Sequence, residues 1–305
     1  MKEIKTVGLI GLGALGVMYA ERLTDAGADL IVIADAPRVV RYQRDGVFSN
    51  GRKLALRLRT PMEAEPVDLL IIATKYGGLH EAMETASGFV GPDTLMFSVI
   101  NGVISEEAMA ERFGGENVLY AVAQGTDATK VGNALTYEKP GVIVIGEKEP
   151  GAVSARVQMV ADYLSGHGLK GVPVSDMVRR QWGKLMLNVG LNQVIMVYEG
   201  DYSTVQKPGE PREKMIAAMR EVQVLSGLEG YPLPEAEFEE WIAMVDSLSP
   251  AGKPSMRQDG EAHRKSEVEL FAGTINRLGE KHGVPTPVNR WLYDTVKAME
   301  ARYEA

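Results

Sequence analysis

The chain has 305 residues, which is enough for two domains. Its composition, 45% hydrophobic and 24% charged residues, excludes extended disorder, a coiled coil and a collagen-like fibre. Its 33 Lys and Arg residues against 41 Asp and Glu residues give a formal net charge of −8, which excludes the broad positive field that binds nucleic acids or anionic membranes. The lack of cysteine excludes disulfides, thiol catalysis and Cys-ligated metals.

The first half of the chain alternates short apolar runs with amphipathic stretches. The runs are β-branched and nearly continuous, which is typical of strands buried on both faces of a parallel sheet. Predicted strands cover residues 4–10, 29–34, 67–73, 94–99, 117–123 and 142–146, and helical spacing covers stretches such as 15–25 and 79–88. The alternation predicts a doubly wound α/β sheet.

Because the first run is too short to span a membrane and lacks a cleavage site, we expect a cytoplasmic protein.

An insertion at residues 46–56 interrupts this alternation. Within it, Asn50-Gly51 lies between apolar or alternating segments, and this pair predicts a hairpin with a type I′ turn, which needs positive φ at both central residues. Residues 132–138 are a second candidate for a short hairpin, just before the last strand.

From about Asp176 the strand signal gives way to helical spacing. Predicted helices cover residues 178–199, 211–230, 235–248, 259–282 and 288–303. Loops are predicted where Pro, Gly and Ser cluster, near 200–211 and 249–255. We therefore predict an α/β domain over residues 1–176 and an all-helical domain over residues 177–305. The last helix carries an apolar stripe that is either core or the face of a homodimer: Trp291, Leu292, Val296 and Met299.

A glycine-rich turn follows the first predicted strand and opens the first predicted helix. Its spacing is G-x-G-x-x-G, and the motif consists of Gly11, Leu12, Gly13, Ala14, Leu15 and Gly16. In this context the first glycine permits a tight turn, the second lets the backbone approach a diphosphate, and the third lets the helix pack on the strand. The diphosphate then lies at the N-terminus of the helix. The motif predicts a dinucleotide-binding domain of the Rossmann type.

Asp35 ends the second predicted strand, 19 residues after Gly16. An acid there accepts hydrogen bonds from the adenosine ribose and repels a 2′-phosphate, which favours NAD over NADP. Against this, Arg38 and Arg41 lie one turn beyond and could reach a 2′-phosphate. Since Pro37 follows, Asp35 is alternatively only the cap of the next helix.

The segment at residues 181–196 is apolar nearly all round, which predicts a buried helix. Lys184, Asn188 and Asn192 recur on one face of it at every fourth position. Because burying an ammonium and two amides without partners is costly, this face must meet a polar ligand or a matching polar surface. An apolar wall can also lower the pKa of a lysine toward a value useful in acid catalysis. The alternatives are a structural network, or Lys184 reaching solvent from the end of the helix.

A lysine used in this way needs a carboxylate partner. Glu267, in the middle of the predicted helix 259–282, is a candidate for that partner of Lys184, although a Glu on a helix is usually a solvated surface residue. The four histidines are scattered, and no His, Asp or Glu spacing predicts a metal site.

Two polar pairs follow predicted strands of the first domain. Thr74-Lys75 comes after the strand at 67–73, and Asn101-Gly102 comes after the next strand. Open α/β sheets bind ligands at the carboxyl ends of their strands, so both pairs are candidate ligand contacts. Ordinary loop chemistry accounts for them equally well.

Together these segments resemble the ketopantoate reductase (2-dehydropantoate 2-reductase) family, nearly from end to end. Single pieces are common, but the ordered set is specific: the glycine motif, Thr74-Lys75, Asn101-Gly102, Trp182 with Lys184, Asn188 and Asn192, residues 255–259, Ser266-Glu267, and residues 283–287. The resemblance implies reduction of 2-dehydropantoate to (R)-pantoate with NAD(P)H, usually NADPH, on the pathway to pantothenate and coenzyme A.

The resemblance also implies roles for individual residues. Lys184 would be the proton donor, with Glu267 as its partner. Substrate contacts are implied for Asn101, Lys184, Asn188, Asn192, Ser255 and the backbone near Lys253. Cofactor contacts are implied for Gly11, Leu12, Gly13, Ala14, Leu15, Gly16, Lys75, Asn101, Ala128 and Glu267, and our interpretation of the second strand adds Asp35.

The chain departs from the family pattern in two places. Asp35 stands where the arginine for a 2′-phosphate is expected, so NADH fits this chain better than the usual NADPH. After the lysine helix, residues 199–202 replace an expected substrate-binding Asn or Thr, which leaves the identity of the 2-oxo acid open.

Hydride transfer to a ketone develops negative charge on the carbonyl oxygen, so we expect Lys184 to meet that oxygen and deliver the proton. We expect the site in a cleft between the domains, where closure excludes water. The alternatives are a reductase of another 2-oxo acid, a β-hydroxyacid dehydrogenase and, less favoured, a non-catalytic NAD(P) sensor. Retention of Lys184 together with Glu267 counts against the sensor, which has no use for a buried proton donor.

Overall fold

A computed structural model describes residues 3–303 of the chain. The chain divides into two compact units, Met1–Val178 and Arg179–Ala305. The first unit is built around a mostly parallel sheet, and the second is helical. The predicted fold class, a Rossmann-type sheet followed by an all-helical region, is therefore confirmed. None of the helices described is both long and apolar enough to cross a membrane.

The first unit contains one eight-stranded sheet and one small sheet. Its strands are β1 (Thr6–Ile10), β2 (Asp29–Ile33), β3 (Phe48–Ser49), β4 (Arg52–Lys53), β5 (Leu58–Arg59), β6 (Leu69–Ile72), β7 (Leu95–Ser98), β8 (Val118–Thr126), β9 (Thr129–Val131), β10 (Ala134–Thr136), β11 (Pro140–Gly146) and β12 (Lys170–Pro173). The large sheet has the order β12-β11-β8-β7-β6-β1-β2-β5. Its paired strands are parallel, apart from the antiparallel pair β8–β11.

All six predicted strands are present in the large sheet. Their continuous apolar runs are explained by burial on both faces, as at β6, where every residue is inaccessible to solvent. The two edge strands β5 and β12 were not expected from the sequence. They are short, and β12 contains a glycine and a proline, so neither has the apolar run that identifies a buried strand.

The predicted Asn50-Gly51 turn joins β3 and β4 in an antiparallel hairpin, and both residues have positive φ, 47° and 81°. The second hairpin begins earlier than the predicted residues 132–138, because it pairs β9 with β10. The two hairpins form one four-stranded sheet of order β4-β3-β10-β9. The buried carboxylate of Glu21, on the helix that follows β1, accepts hydrogen bonds from Ser49 Oγ at 2.7 Å and Tyr137 OH at 2.8 Å and so joins that helix to the hairpins.

The helices of the first unit connect the strands of the large sheet. They are α1 (Ala14–Asp25), α2 (Ala36–Asp45), α3 (Leu79–Ala86), α4 (Ser105–Phe113) and α5 (Ala155–Gly166). The apolar core of this unit includes Val17 and Leu23 of α1, packed with Leu9 of β1 and Phe97 of β7.

The helical region that follows begins with α6 (Met177–Leu187), a π-helical segment (Asn188–Asn192) and α7 (Gln193–Val197). The remaining helices are α8 (Ser203–Gln206), α9 (Glu210–Leu228), α10 (Glu235–Ser247), α11 (Ser255–Glu261), α12 (Ala272–His282) and α13 (Pro287–Glu300). The apolar stripe of α13 is at least in part core, because Leu292 and Val296 are fully buried within this unit.

The predicted helix at 259–282 is wrong. The chain leaves the helix after α11, turns through residues 262–271 and starts again at α12, so Glu267 lies in a turn. His263 has a positive φ of 50°, and the Glu300 carboxylate accepts hydrogen bonds from the backbone N of Ser266 at 2.7 Å and from its hydroxyl at 2.6 Å. Since residues 261–267 include only one apolar side chain, a helix there would have no face to bury.

Candidate functional site

The strand order reverses at β1, which lies between β6 and β2 in the large sheet. After β1 the chain adds β2 and β5 on one side of β1, and it then adds β6, β7 and the later strands of this sheet on the other side. The carboxyl ends of β1 and β6 therefore border a topological switch point, where open α/β sheets bind their ligands. Gly11 follows β1 there, and Thr74 follows β6.

Gly11 and Gly16 have the conformation and the packing that the sequence predicts, and Gly13 borders open space. Gly11 has a φ of 99°, which few other residues adopt. A Cβ on Gly16 would lie only 1.8 Å from the Gly11 carbonyl oxygen, so α1 can approach the turn only with glycine at this position. A Cβ on Gly13 would meet nothing nearer than 3.7 Å, and it would occupy space into which a ligand could fit.

A cleft of about 280 Å³ opens at this switch point. The residues that line it include Gly11, Leu12, Gly13, Asp35, Arg38, Tyr42, Thr74, Lys75 and Glu81. The Thr74 hydroxyl is buried and has no hydrogen-bond partner among the described residues, and no side chain caps the N-terminus of α1. Backbone amides at an uncapped helix N-terminus beside an unused hydroxyl are suited to the diphosphate of a dinucleotide.

Asp35 is the N-cap of α2, where it accepts a hydrogen bond from the backbone N of Arg38 at 2.7 Å. Its carboxylate also binds the Arg38 guanidinium, which in turn binds Glu81 on α3. These carboxylates raise the pKa of Arg38, and Arg38 lowers the pKa of Glu81. Arg41 lies over the Tyr42 ring, 5.2 Å from its centre. Of the two arginines considered from the sequence, it is Arg38 that lines the cleft.

Of the other cofactor contacts expected in this unit, one lines the cleft and two do not. Lys75 is exposed at the cleft, next to the glycine turn. Asn101 lies just beyond β7, at the same edge of the sheet, but neither Asn101 nor Ala128 lines the cleft. The backbone N of Ala128 donates to Thr126 Oγ1 at 3.1 Å, in the turn between β8 and β9.

The polar stripe of the helical unit keeps its common face. Lys184 lies on α6, and Asn188 and Asn192 are the first and last residues of the π-helical segment. Asn192 Nδ2 lies 3.5 Å from Asn188 Oδ1, and both side chains are buried. π-Helical turns are rare and are frequent at functional sites, which makes this segment a candidate binding face.

Lys184 has an unusual pKa. Burial lowers the pKa of its ammonium from the ordinary value of 10.5 to about 8, and the carboxylate of Glu267 acts in the opposite direction. Glu267 therefore lies near enough to Lys184 for a Coulombic interaction, although it is not in the predicted helix. An amine with a pKa close to neutral pH, held beside a carboxylate, is suited to proton transfer.

Two of the expected substrate contacts, Lys253 and Ser255, lie just before and at the start of α11. Lys253 and Ser255 are both exposed, and the Lys253 ammonium pairs with Glu261. Helix α11 packs against α7 and the π-helical segment, so Ser255 lies on a helix next to Asn188 and Asn192.

Residues 199–202, which depart from the family pattern, form hydrogen bonds with neighbouring segments. The Asp201 carboxylate accepts hydrogen bonds from Ser203 N at 3.0 Å and Ser203 Oγ at 2.6 Å, which fixes the start of α8. The backbone N of Tyr202 donates to the Gly252 carbonyl at 2.9 Å, and its ring lies against Gly252. The two segments are thus adjacent, which the sequence did not indicate.

Among the described residues, no three His, Asp or Glu side chains are grouped to hold a metal ion. The residue of the cleft that sequence analysis missed is Glu81. Its contact with Arg38 joins positions 43 residues apart, so no local pattern could have indicated it.

Comparisons with known proteins cover both units. Residues 7–150 match the family model described as ketopantoate reductase PanE/ApbA, and residues 176–300 match that of its C-terminal domain. A 2-dehydropantoate 2-reductase from Archaeoglobus fulgidus is 26% identical over 300 residues, covering 98% of this chain and 99% of the relative.

Two solved structures have the same fold along nearly the whole chain. A D-mandelate dehydrogenase in a ternary structure with NADH and anilino(oxo)acetate has a TM-score of 0.87 at 22% identity, covering 98% of this chain and 100% of that one. A 2-dehydropantoate 2-reductase from Methylococcus capsulatus has a TM-score of 0.84 at 23% identity, covering 98% of both chains. With both of its units matched by the family models, this chain belongs to the ketopantoate reductase family of oxidoreductases.

Proposed function

We propose that this chain uses NADH to reduce the C2 ketone of a 2-oxo acid, with 2-dehydropantoate as the substrate and (R)-pantoate as the product. The observation that carries the proposal is the lowered pKa of Lys184, which lies near Glu267. The helix that carries Lys184 continues to Asn188 and Asn192. Membership of the ketopantoate reductase family supports the same reaction. The activity belongs to the pathway to pantothenate and coenzyme A.

The first unit would hold the nucleotide. The turn at residues 11–16 and the Thr74 hydroxyl fit the diphosphate, and Lys75 adds a positive charge at the same cleft. Asp35 fits the ribose of NADH, because a carboxylate accepts hydrogen bonds from the ribose hydroxyls and repels a 2′-phosphate. Asn101, Ala128 and Glu267 remain proposed contacts for the rest of the cofactor. A bound, reduced nicotinamide supplies a hydride.

Lys184 would supply the proton. With a pKa of about 8, the amine is mostly protonated at neutral pH and gives up its proton more readily than an exposed lysine does. Negative charge that develops on the carbonyl oxygen is stabilised by the ammonium. Transfer of the proton from Lys184 Nζ to that oxygen forms the hydroxyl of the product and leaves a neutral amine, which solvent reprotonates.

The helical unit would also bind the substrate. Asn188 and Asn192 can bind a substrate hydroxyl, while Ser255 and the backbone near Lys253 orient the carboxylate. We assign the backbone rather than the Lys253 ammonium, because that ammonium pairs with Glu261. Asn101 is proposed to contact both the substrate and the cofactor.

A second candidate function is the reduction of an aromatic or bulkier 2-oxo acid. The Tyr202 ring lies against Gly252, beside the segment that carries Lys253 and Ser255. An aromatic side chain at this point favours an apolar substituent over the hydroxyl group of 2-dehydropantoate. A D-mandelate dehydrogenase among the structures of the same fold is in keeping with this candidate.

Steady-state assays test the substrate and the cofactor together. The set contains 2-dehydropantoate, a simple branched 2-oxo acid and phenylglyoxylate, each with NADH and with NADPH. We expect the highest kcat/KM with 2-dehydropantoate and NADH. Comparable rates with the branched acid, or a higher rate with phenylglyoxylate, would replace the pantothenate assignment, and oxidation of 3-hydroxy acids alone would support a β-hydroxyacid dehydrogenase.

The variant Lys184→Met tests the proton donor. We expect turnover to fall by about 10²–10⁴-fold, the usual contribution of a general acid, while NADH still binds. The matched control is Lys207→Met, which removes the same charge from an exposed position after α8. An unchanged turnover in Lys184→Met would contradict the mechanism, and no turnover in the wild-type protein with normal NADH binding would support a sensor.

A further inference from the structure

We propose that Glu81 determines the specificity for NADH over NADPH, because it holds Arg38 against Asp35 and so removes the arginine from the place where a 2′-phosphate would bind. The inference rests on the proposed function, in that a nicotinamide dinucleotide is taken to bind at the cleft of the first unit. It adds a specificity-determining residue on α3, outside the glycine turn and the second strand.

The Arg38 guanidinium is held from two sides. One nitrogen, Nη1, binds both Asp35 Oδ2 and Glu81 Oε1, and the other, Nη2, lies 3.3 Å from Glu81 Oε2. The contact with Glu81 therefore uses both terminal guanidinium nitrogens and both carboxylate oxygens, which is the geometry that arginine would otherwise offer to a phosphate. All three residues line the cleft.

The repulsion between Asp35 and a 2′-phosphate is weakened by the pairing of Asp35 with Arg38. One of the Asp35 oxygens accepts the backbone N of Arg38 at 2.7 Å, and an arginine beside a single carboxylate leaves this part of the cleft without net charge. The second carboxylate, that of Glu81, brings the net charge of the three groups to −1. A 2′-phosphate would then meet an excess of negative charge, whereas the 2′-hydroxyl of NADH can donate to Asp35.

Ion pairs between exposed groups are weak, and the Arg38 and Glu81 side chains are 42% and 56% exposed. Selectivity requires little energy, however, since a tenfold change in affinity corresponds to about 1.4 kcal/mol. A bound adenosine would also cover the cleft and reduce the screening of these charges by water. The contact between Glu81 and Arg38 is therefore sufficient for a measurable cofactor preference.

Direct binding measurements test the inference without turnover. Dissociation constants for NADH and NADPH are measured by calorimetry on the wild-type protein and on Glu81→Gln. As a second probe, 5′-AMP and adenosine 2′,5′-bisphosphate report on the adenosine end alone. We expect Glu81→Gln to bind NADPH and the bisphosphate about tenfold more tightly, with NADH and AMP changed less than twofold.

Two further variants assign the effect to Arg38. In an Arg38→Ala background, Glu81→Gln should give a much smaller gain in NADPH affinity, because it removes one repulsive charge but releases no guanidinium; an equal gain in both backgrounds would contradict the role of Arg38. The matched control is Glu84→Gln on the same helix, whose carboxylate pairs with Arg112 away from the cleft. It makes the same change in net charge and should leave all four affinities unchanged.

Each outcome decides between the two proposals. An unchanged ratio of NADPH to NADH affinity in Glu81→Gln would overturn this inference and leave the proposed function intact. An equal loss of affinity for all four ligands would also overturn it. Glu81 would then position Arg38 to bind the adenosine and would not exclude the 2′-phosphate. Failure of the wild-type protein to bind either nucleotide would refute the proposed function itself.

Discussion

The carboxylate of Glu267 partly offsets the effect of burial on Lys184, so that the pKa of the amine is lowered only to about 8. Burial alone would lower it further, because the interior solvates the charged form poorly. The two residues belong to different segments, α6 and the turn before α12. Their balance places the proton affinity of the lysine in the range useful for acid–base chemistry near neutral pH.

The first prediction concerns the pH dependence of the wild-type enzyme. Reduction needs the protonated amine, so kcat/KM for the 2-oxo acid should be constant up to about pH 7 and fall tenfold per pH unit above about pH 8. Oxidation of the 2-hydroxy acid needs the neutral amine and should rise over the same interval. Rates in both directions that stay level up to pH 10 would contradict the assignment of Lys184.

The second prediction is that Glu267→Gln shifts this profile to lower pH. Removal of the negative charge leaves burial unopposed, so the pKa of Lys184 falls below about 8 and the reductive rate begins to decline earlier. The shift should be on the order of one pH unit. The control is Glu269→Gln, in the same turn, whose carboxylate contacts Tyr293 and Lys297. A profile displaced equally by both variants would contradict the role of Glu267.

The sequence predicts features of the site that depend on neighbouring residues, and it does not predict contacts between residues that are distant in the sequence. The glycine turn and the Lys184 stripe are local patterns, and the structure places them as expected on the strand-to-helix turn and on one helix face. The turn that carries Glu267 was predicted as helix, because helical residues on both sides of it suggested continuity. The contact of Glu81 with Arg38 depends on how β1 and β6 pair in the sheet, which local spacing does not encode.

The third prediction concerns the stability cost of the proton donor. In the folded chain the pKa of Lys184 is about 8, against an ordinary value of 10.5, so the unfolded chain binds more protons between these values. Wild-type stability therefore gains from this residue as pH rises from about 8 to 10.5, and below pH 8 the full cost of the buried charge remains. Because Glu267 is only partly buried and can be solvated without the lysine, Lys184→Met should raise the free energy of unfolding at pH 7 by about 1–3 kcal/mol.

The measurement is chemical denaturation of Lys184→Met and the wild type at pH 7 and pH 10. The difference in free energy should be larger at pH 7, because the wild-type amine is mostly neutral in the folded state at pH 10. Lys207→Met is the control and should change stability by less than about 0.5 kcal/mol at either pH. A destabilised Lys184→Met would indicate that the ammonium has a net favourable structural role.

The fourth prediction separates two glycines of the same turn. A Cβ on Gly16 would lie 1.8 Å from the Gly11 carbonyl oxygen, so Gly16→Ala must displace α1 or the turn and should cost about 3 kcal/mol or more of stability. A Cβ on Gly13 has no neighbour closer than 3.7 Å, so Gly13→Ala should keep the wild-type Tm within about 2 °C. That methyl group would instead occupy the space proposed for the diphosphate.

Thermal unfolding and NADH binding, measured on both variants, distinguish packing from ligand contact. Gly13→Ala should bind NADH at least tenfold more weakly although it is as stable as the wild type. Gly227→Ala, on α9, is the control for an added methyl group away from the cleft: no atom lies within 4 Å of the added Cβ, so it should keep the wild-type stability and bind NADH normally. If Gly13→Ala binds NADH as the wild type does, the diphosphate does not approach the backbone at residue 13, and the proposed position of the cofactor is wrong.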